Sequence, residues 1–342
     1  MQDGWSRGWT RLARRMMVPD RQVRRMLREM TQQLPGALFE SLPPVSESAA
    51  EAGARIVEVA AFGANPGRLR MRLHVPAATP RPGAPLLVLL HGCGQDAVRF
   101  AESAGFVALA DRLGAPLLLP DQQAENNHQR CFNWFRPSDI RRGGGEVASI
   151  RQMVAEVMRR FASHPGRVFV AGLSAGGALA AALLAAYPDV FAAGAVVAGL
   201  PVHAAEDAHG ALLQMRHPQP LPRADWAARV PAPPGVCWPR LSIWHGEADR
   251  TVDPANGAAL AAQWTALLGL PEAPSAVQFP ASNLRRRVWR DDAGAELVEH
   301  WTLAGFDHAF PVADGRPADP FVLPAGIEAA DVMARFWGLD PA

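Results

Sequence analysis

Positions 167–177 carry the run Arg167-Val168-Phe169-Val170-Ala171-Gly172-Leu173-Ser174-Ala175-Gly176-Gly177. A β-rich apolar segment passes into a Gly-x-Ser-x-Gly turn, and an alanine-rich helix follows. This order predicts a serine on a sharp, strained turn between a strand and a helix. Gly172 and Gly176 lack side chains, so neighbouring backbone can pass close to that turn. We therefore predict that Ser174 is a nucleophile, with the helix N-terminus behind it favouring developing negative charge.

Strand and helix patterns alternate on both sides of this run, which predicts a doubly wound, mostly parallel sheet flanked by helices. With the serine turn, this pattern indicates an α/β class protein of the α/β-hydrolase fold, and residues 41–342 are predicted to be its catalytic domain. The proline-rich residues 203–240 are predicted to be an inserted loop or partial lid. The predicted strands are an entry hairpin at 54–60 and 69–75, then 86–90, 115–119, 167–171, 193–198, 241–244 and 297–303, and the predicted helices include 96–113, 145–162, 254–267 and 325–336.

A serine nucleophile needs hydrogen-bond donors for the oxyanion that forms when it attacks a carbonyl group. The backbone N–H of Ala175, directly after the nucleophile, is one natural donor. The loop after strand 86–90 reads His-Gly-Cys-Gly-Gln and lies where this fold places the second donor. We predict the backbone N–H of Cys93 for that role. His91 ends a buried strand and is expected to be structural.

Two aspartates follow the strand at 241–244, and either could orient the catalytic base. Asp253 precedes Pro254, which is typical of a helix N-cap followed by proline at the first helical position. Asp249 lies in the loop itself, so we predict that Asp249 is the catalytic acid.

The chain order Ser, Asp, His leaves two histidines downstream of Asp249 as candidates for the base. His300 lies inside a predicted strand, where a structural histidine is expected. His308 lies in the loop after that strand and can reach Ser174 while Asp249 fixes its tautomer. Its neighbour Asp307 is less able to orient the far ring nitrogen. We predict His308 as the general base.

Composition limits the other classes of function. Arginine and lysine together number 34 against 33 acidic residues, a net charge of +1, which does not favour a nucleic-acid partner. There is no CxxC pair and no HExxH motif, so neither a metal site nor a cofactor is predicted. Three cysteines are too few for a disulfide scaffold. Cys93 and Cys131 should both border the site, so we predict that their side chains are close and that Cys237 is free.

Residues 1–40 differ in composition from the rest of the chain. Residues 1–33 carry eight arginines and three acidic residues, and Trp5, Trp9, Leu12 and Met16 recur at helical spacing. A basic amphipathic helical arm is predicted, which either packs on the catalytic domain or binds a granule or lipid surface. The arginines interrupt any apolar run of signal-peptide length, so we expect a soluble, cytoplasmic protein.

Five segments together resemble the poly(3-hydroxybutyrate) depolymerase family of esterases, which includes feruloyl-esterase-like members. The resemblance covers about residues 55–337 in order and spacing. It implies the α/β-hydrolase fold, the triad of Ser174, Asp249 and His308, and Cys93 as an oxyanion-hole position. The segments are HGCGQ at 91–95, RCFNWF at 130–135, AGLSAGG at 171–177, SIWHGEADRTVDPAN at 242–256 and AGFDHAFP at 304–311.

The resemblance implies a serine esterase that acts through an acyl-enzyme on poly(3-hydroxybutyrate)-type polyester or its oligomers. Asn133, Trp134 and Phe135 are then expected near the substrate groove, although core packing is an equal alternative for these three. Leu173, beside the nucleophile, is also expected to bind substrate. Asp307-His308-Ala309 replaces the glycine-rich GHG found around the base in many relatives. A feruloyl or acetyl esterase therefore stays an alternative, as does a granule- or membrane-surface binding protein with a weakly active hydrolase body. The sequence leaves the oligomeric state open.

Overall fold

The computed structural model describes residues 55–232, 235–315 and 319–339, and a mostly parallel sheet runs through this part of the chain. The predicted arm at residues 1–40 lies outside the described residues. The strands are β1 (Arg55–Glu58), β2 (Arg70–Val75), β3 (Leu86–Leu90), β4 (Leu117–Asp121), β5 (Val168–Leu173), β6 (Ala193–Val197), β7 (Arg240–Gly246), β8 (Ala276–Ala281), β9 (Leu284–Arg290), β10 (Glu296–Leu303), β11 (Phe310–Val312) and β12 (Val322–Pro324).

Ten of the strands in the described residues form one sheet in the order β1-β2-β4-β3-β5-β6-β7-β10-β9-β8. The six strands from β4 to β10 are parallel to one another, and antiparallel strands extend the sheet at both edges. The central strands β3, β5 and β6 are buried along their whole length, as expected of parallel strands covered on both faces. The predicted doubly wound sheet is confirmed.

Helices cover both faces of this sheet and form two apolar cores with it. One core contains side chains from α4, α5 and α8, and the other contains side chains from α1, α2 and α9. Among the described helices, none combines the length and the apolar character that crossing a membrane requires. The helices are α1 (Ala97–Ser103), α2 (Phe106–Leu113), α3 (Pro137–Ile140), α4 (Gly145–Phe161), α5 (Ala175–Ala186), α6 (Ala208–Arg216), α7 (Arg223–Ala228), α8 (Ala255–Leu267) and α9 (Ala329–Phe336).

The predicted helix at 96–113 is two helices in the structure. Gly105 adopts a left-handed φ of 82°, which ends the first helical path and starts α2 in a new direction. Asp96 caps α1, because its side chain accepts hydrogen bonds from the backbone N–H groups of Val98 and Arg99 at 3.0 Å. The helix boundaries therefore follow local capping chemistry that the apolar periodicity alone did not reveal.

The segment predicted as an inserted loop or partial lid contains the two short helices α6 and α7. Gln214 on α6 donates to the Asn256 side chain at 2.9 Å, and Asn256 donates back to the Gln214 carbonyl at 3.0 Å. Gln263 on α8 donates to the carbonyls of Val202 and Trp226. The segment is thus held to α8 by buried amide side chains.

Candidate active site

The Ser174 turn has the strained geometry expected of a nucleophile elbow. Ser174 has φ 58° and ψ −119°, a conformation that costs a non-glycine residue about 1–3 kcal/mol. Its backbone N–H donates to the Val197 carbonyl at 2.8 Å, which ties the turn to β6. A Cβ added to Gly172 would collide with the Gly176 carbonyl, and one added to Gly176 would collide with the Leu90 carbonyl. Both glycines are therefore required by close backbone packing.

The loop after β3 lies beside this serine. A Cβ added to Gly92 would be 3.6 Å from the Ser174 Cβ, so the two backbones are in near contact. Gln95 holds the loop, because its Oε1 accepts from the Gly92 N–H at 2.7 Å and its Nε2 donates to the Pro320 carbonyl at 3.1 Å. Ala175 begins α5, and the N–H groups of a first helical turn have no intrahelical acceptor. This loop and α5 flank the serine at the positions predicted for Cys93 and Ala175.

His91 is structural, as its place at the end of β3 suggested. Its ring is fully buried, its Nδ1–H donates to the Gly92 carbonyl at 2.7 Å, and its Nε2 accepts from the Gln122 N–H at 3.1 Å. Burial lowers the pKa of His91, against the opposing charge of Asp121. The ring therefore fixes the start of the loop after β3, the candidate oxyanion loop, against the end of β4.

A disulfide joins Cys93 to Cys131, with a Cα–Cα distance of 4.2 Å. The predicted proximity of these two side chains is confirmed, and Cys237 is exposed and free, as predicted. The bond ties the loop after β3 to the loop that carries residues 130–135. The candidate oxyanion loop is thus held at one end by Gln95 and in its middle by a covalent link.

Asp249 and His308 form a buried pair. The carboxylate Oδ2 lies 2.7 Å from His308 Nδ1, and Oδ1 accepts from the backbone N–H groups of Thr251 and Val252 at 2.8 Å each. Burial alone would raise the pKa of Asp249, but hydrogen bonds from His245 and His308 and their charges hold it well below its ordinary range. Asp249 is therefore an ionised acceptor that fixes the His308 tautomer with the proton on Nδ1.

The alternatives weighed from the sequence occupy other roles. Asp253 accepts from the Ala255 N–H at 2.8 Å at the start of α8, as a helix cap does. His300 is buried in β10, where its Nδ1 accepts from Arg287 at 2.8 Å. Asp307 accepts from the His308 backbone N–H at 2.8 Å and pairs with Arg250, away from the imidazole nitrogens.

The three triad candidates follow the carboxyl ends of β5, β7 and β10, which are parallel strands of one sheet. Ligand and substrate sites of open α/β sheets lie at this edge. Ser174 and His308 each remain 8% exposed, so a small reactant can reach them, while Asp249 is 6% exposed. The structure brings Asp249 and His308 into contact and places Ser174 at the same edge, and their catalytic roles stay predictions.

An apolar cluster lies next to the serine. Trp134 packs edge-to-face on Phe135 with ring centroids 5.7 Å apart, and both belong to a cluster that includes Ala175 and the disulfide. The segment at 203–240 contributes Ala205, Ala211 and Met215 to the same cluster. Leu173 differs, because its side chain is 1% exposed and lies in the core that also contains side chains from α1, α2 and α9. That burial leaves Leu173 no side-chain surface for substrate.

Asn133 belongs to a buried hydrogen-bond network that the sequence motif did not indicate. Its backbone N–H and side-chain Nδ2 donate to the two oxygens of Glu146 at 2.8 and 2.7 Å, and Gln122 donates to Glu146 at 2.6 Å. Burial raises the pKa of Glu146 to about 8, although these donors lower it. The hydrogen-bonding groups of Asn133 are thus engaged by Glu146 and Asn127 within the protein.

No group of three or more His, Cys, Asp or Glu side chains suited to a metal ion occurs in residues 55–232, 235–315 and 319–339. The described site consists of a serine, a histidine–aspartate pair and backbone donors. These groups are sufficient for nucleophilic acyl transfer at an ester carbonyl.

Comparison with known proteins gives a consistent set of relatives. Residues 69–288 match the sequence model of the family described as esterase PHB depolymerase. The chain is 36% identical to poly(3-hydroxyalkanoate) depolymerase C of Paucimonas lemoignei over 83% of this chain and 70% of that protein. It is 29% identical to feruloyl esterase B of Talaromyces funiculosus, over 80% and 78% of the two chains. An acetyl xylan esterase structure from Aspergillus awamori superposes with a TM-score of 0.72 at 21% identity, covering 83% and 99%, which shows the shared fold.

Proposed function

We propose, from the premise that this chain belongs to the PHB depolymerase family of esterases, that it cleaves hydroxyalkanoate polyester or its oligomers through an acyl-enzyme on Ser174. Carboxylic ester hydrolysis follows from the family, and the substrate and residue roles are the proposal. The observation that carries it is the buried contact of 2.7 Å between Asp249 and His308 at the sheet edge that also presents Ser174.

In the proposed first step, Ser174 Oγ attacks the ester carbonyl carbon and its proton passes to His308 Nε2. Asp249 keeps the His308 proton on Nδ1, so Nε2 is free to act as the base. The tetrahedral intermediate collapses, the C–O bond to the alcohol breaks, and His308 returns the proton to the leaving alkoxide. Water then attacks the acyl-enzyme with His308 again as base, releasing the acid and restoring Ser174.

Negative charge on the substrate oxygen is stabilised in this proposal by the backbone N–H groups of Cys93 and Ala175. Donors fixed before the reaction need no reorganisation when the charge develops, and one such donor is worth about 3–4 kcal/mol in comparable enzymes. The disulfide and the Gln95 hydrogen bonds support this role, because both restrict the loop that carries Cys93.

Substrate choice rests on the apolar surface around Trp134 and Phe135. Phe135 is partly exposed and packs on the buried Trp134, so the Phe135 ring can contact an aliphatic acyl chain. The same aromatic surface also suits a feruloyl ring, and feruloyl esterase B is among the relatives. A feruloyl or acetyl esterase is therefore the second candidate.

A substrate panel distinguishes these candidates. The purified chain is assayed on short p-nitrophenyl esters, hydroxybutyrate oligomers, amorphous poly(3-hydroxybutyrate) and methyl ferulate, with Ser174→Ala as the blank. We expect kcat/KM on hydroxybutyrate oligomers to exceed that on methyl ferulate by about tenfold or more, a difference of about 1.4 kcal/mol. The reverse order would favour the feruloyl esterase. Activity no higher than that of Ser174→Ala on every ester would favour the alternative of a granule- or membrane-surface binding protein.

Cytoplasmic location is a separate part of the proposal, based on the sequence expectation, and the Cys93–Cys131 disulfide counts against it. Structural disulfides persist mainly in oxidising compartments. Cell fractionation combined with thiol trapping tests the location: we expect the protein in the cytoplasmic fraction, and recovery of the oxidised form from an exported fraction would contradict it.

A further inference from the structure

His245 is a buried histidine that the proposed mechanism does not use. It lies at the carboxyl end of β7 and is 1% exposed. Its Nε2 is 2.9 Å from the Val252 carbonyl oxygen and 3.3 Å from Asp249 Oδ2. A carbonyl and an ionised carboxylate both only accept hydrogen bonds, so Nε2 of His245 carries a proton.

This N–H closes a small ring of interactions around the candidate acid. His245 donates to the Val252 carbonyl, the Val252 N–H donates to Asp249 Oδ1 at 2.8 Å, and Asp249 Oδ2 faces the same His245 nitrogen. The turn from Asp249 to Val252 is thereby fixed on two sides. Oδ2 is also the oxygen that contacts His308, so a rotation of the carboxylate would disturb both histidines together.

Helix α8 holds the His245 ring in this orientation. A Cβ added to Gly257 would lie 2.8 Å from His245 Nδ1, inside the contact distance of ordinary side chains. Gly257 lies in the first turn of α8, and glycine is a poorer helix former than alanine. Its presence here leaves room for the imidazole, whose Nδ1 has no hydrogen-bond partner among the described residues.

We propose that His245 is a positioning residue for ester hydrolysis. Its Nε2–H holds the turn that carries Asp249 and orients Oδ2 toward His308, so that His308 stays ready to accept the Ser174 proton. The role rests on Asp249 as the catalytic acid, which belongs to the proposed function.

Substitutions at position 245 separate positioning from stability. Glutamine can place an amide N–H near the position of Nε2, whereas leucine fills the space without a donor. We expect His245→Leu to lower kcat on a short p-nitrophenyl ester about tenfold, which corresponds to about 1.4 kcal/mol, with KM changed less than about twofold. His245→Gln should keep kcat within about threefold of the wild type.

A matched control is His74→Leu. His74 is also 1% exposed and pairs with Asp111, away from the triad candidates, so its loss should lower thermal stability and leave kcat unchanged. Gly257→Ala is the second variant, in which the added Cβ displaces the ring while the position gains helix propensity. Gly257→Ala should lower kcat as His245→Leu does. If His245→Leu does not fold, Gly257→Ala tests the positioning role of His245 in its place.

Unchanged kcat in His245→Leu would overturn the proposal. If His245→Leu does not fold, unchanged kcat in Gly257→Ala would overturn it. Equal losses of kcat in His245→Gln and His245→Leu would also overturn it. Asp249→Asn in the same assay keeps this result separate from the proposed function. If Asp249→Asn stays active, the triad assignment has failed. If Asp249→Asn is inactive and His245→Leu is fully active, only the role of His245 has failed.

Discussion

At the scale of single residues, the site depends on groups whose conformation or protonation is fixed by neighbours. Ser174 keeps a positive φ because two glycines let the backbone pack closely around its turn. Asp249 stays ionised although it is buried, because donors surround both of its oxygens. The contacts within the protein therefore fix the backbone of the candidate nucleophile and the orientation of the candidate base.

The two aspartates after β7 give a direct test of the acid assignment. Asp249→Asn places an amide against His308 Nδ1, which disfavours the tautomer with a free Nε2, so we expect kcat to fall on the order of 10³–10⁴-fold. Asp253→Asn keeps a good helix cap at α8 and should change kcat less than about twofold. Steady-state kinetics on a soluble ester measures both. A large loss in Asp253→Asn with a mild effect in Asp249→Asn would contradict the assignment.

Glu146 makes stability depend on pH. Its pKa in the folded chain is about 8, above the ordinary value of 4.5, so the folded state holds the proton more tightly than the unfolded state. This contribution is complete below about pH 4.5 and is lost as pH rises toward 8. We expect the free energy of unfolding to fall between pH 5.5 and 8 by about 2–3 kcal/mol more in the wild type than in Glu146→Gln.

Urea unfolding at the two pH values measures the Glu146 effect. The matched control is Glu102→Gln, because Glu102 is an exposed carboxyl on α1 and should leave the pH dependence of the wild type unchanged. An identical pH dependence in Glu146→Gln and the wild type would show that Glu146 is ionised in the folded chain, held by its three donors.

At the scale of elements, the disulfide joins two loops that the sheet brings to one edge. It closes a loop with a sequence separation of 38 residues, and the chain-entropy relation gives about 4 kcal/mol for a loop of this length. We expect the Cys93→Ser/Cys131→Ser variant to unfold at lower denaturant concentration. Its kcat should fall by a larger factor than its KM changes, because the candidate oxyanion loop is released. Cys237→Ser, which removes the exposed free thiol, is the control and should match the wild type. A double variant with unchanged kcat would show that the loop needs no covalent support.

The elements that the sequence predicted best are those with a strong local pattern. Parallel strands such as β3 and β5 are buried on both faces and read as continuous apolar runs, so they and the elbow between β5 and α5 were predictable. The edge hairpin of β8 and β9 was missed. β8 contains a proline and is mostly exposed, and β9 carries four arginines. Arg286 is stabilised there by Glu296 and Glu299 on β10, a partnership that local sequence does not reveal.

The candidate site follows the same division. Chain order and loop position single out Ser174, Asp249 and His308 as triad candidates, and the structure brings Asp249 and His308 into contact. No local pattern singles out His245, although its contacts Asp249 and Val252 are close in sequence, because the sequence does not show which way its ring faces. Glu146 was missed because its partners Gln122 and Asn133 lie in the segment after β4. Asn133 carried a motif signal but no indication of which way it faces, and the structure turns it toward Glu146.

At the scale of the whole molecule, the chain is nearly neutral, whereas its first 33 residues carry an excess of five positive charges. Every triad candidate lies beyond residue 170. The triad candidates and the basic segment thus lie in different parts of the chain, an arrangement that suits an enzyme whose substrate is a particle. We propose on this basis that residues 1–40 bind an apolar granule or lipid surface, although this arm lies outside the described residues.

Deletion of residues 1–40 tests that proposal. The apolar stripe of Trp5, Trp9, Leu12 and Met16 would bind a particle through area removed from water, and the arginines would add attraction to an anionic surface that salt weakens. We expect the truncated chain to keep kcat on small soluble esters and to lose sedimentation with polyester granules or anionic vesicles. High salt should weaken vesicle binding by the full chain more than granule binding. If the arm instead packs on the catalytic domain, truncation will lower the melting temperature and small-ester activity together. Unchanged particle binding with that loss would contradict the attachment role.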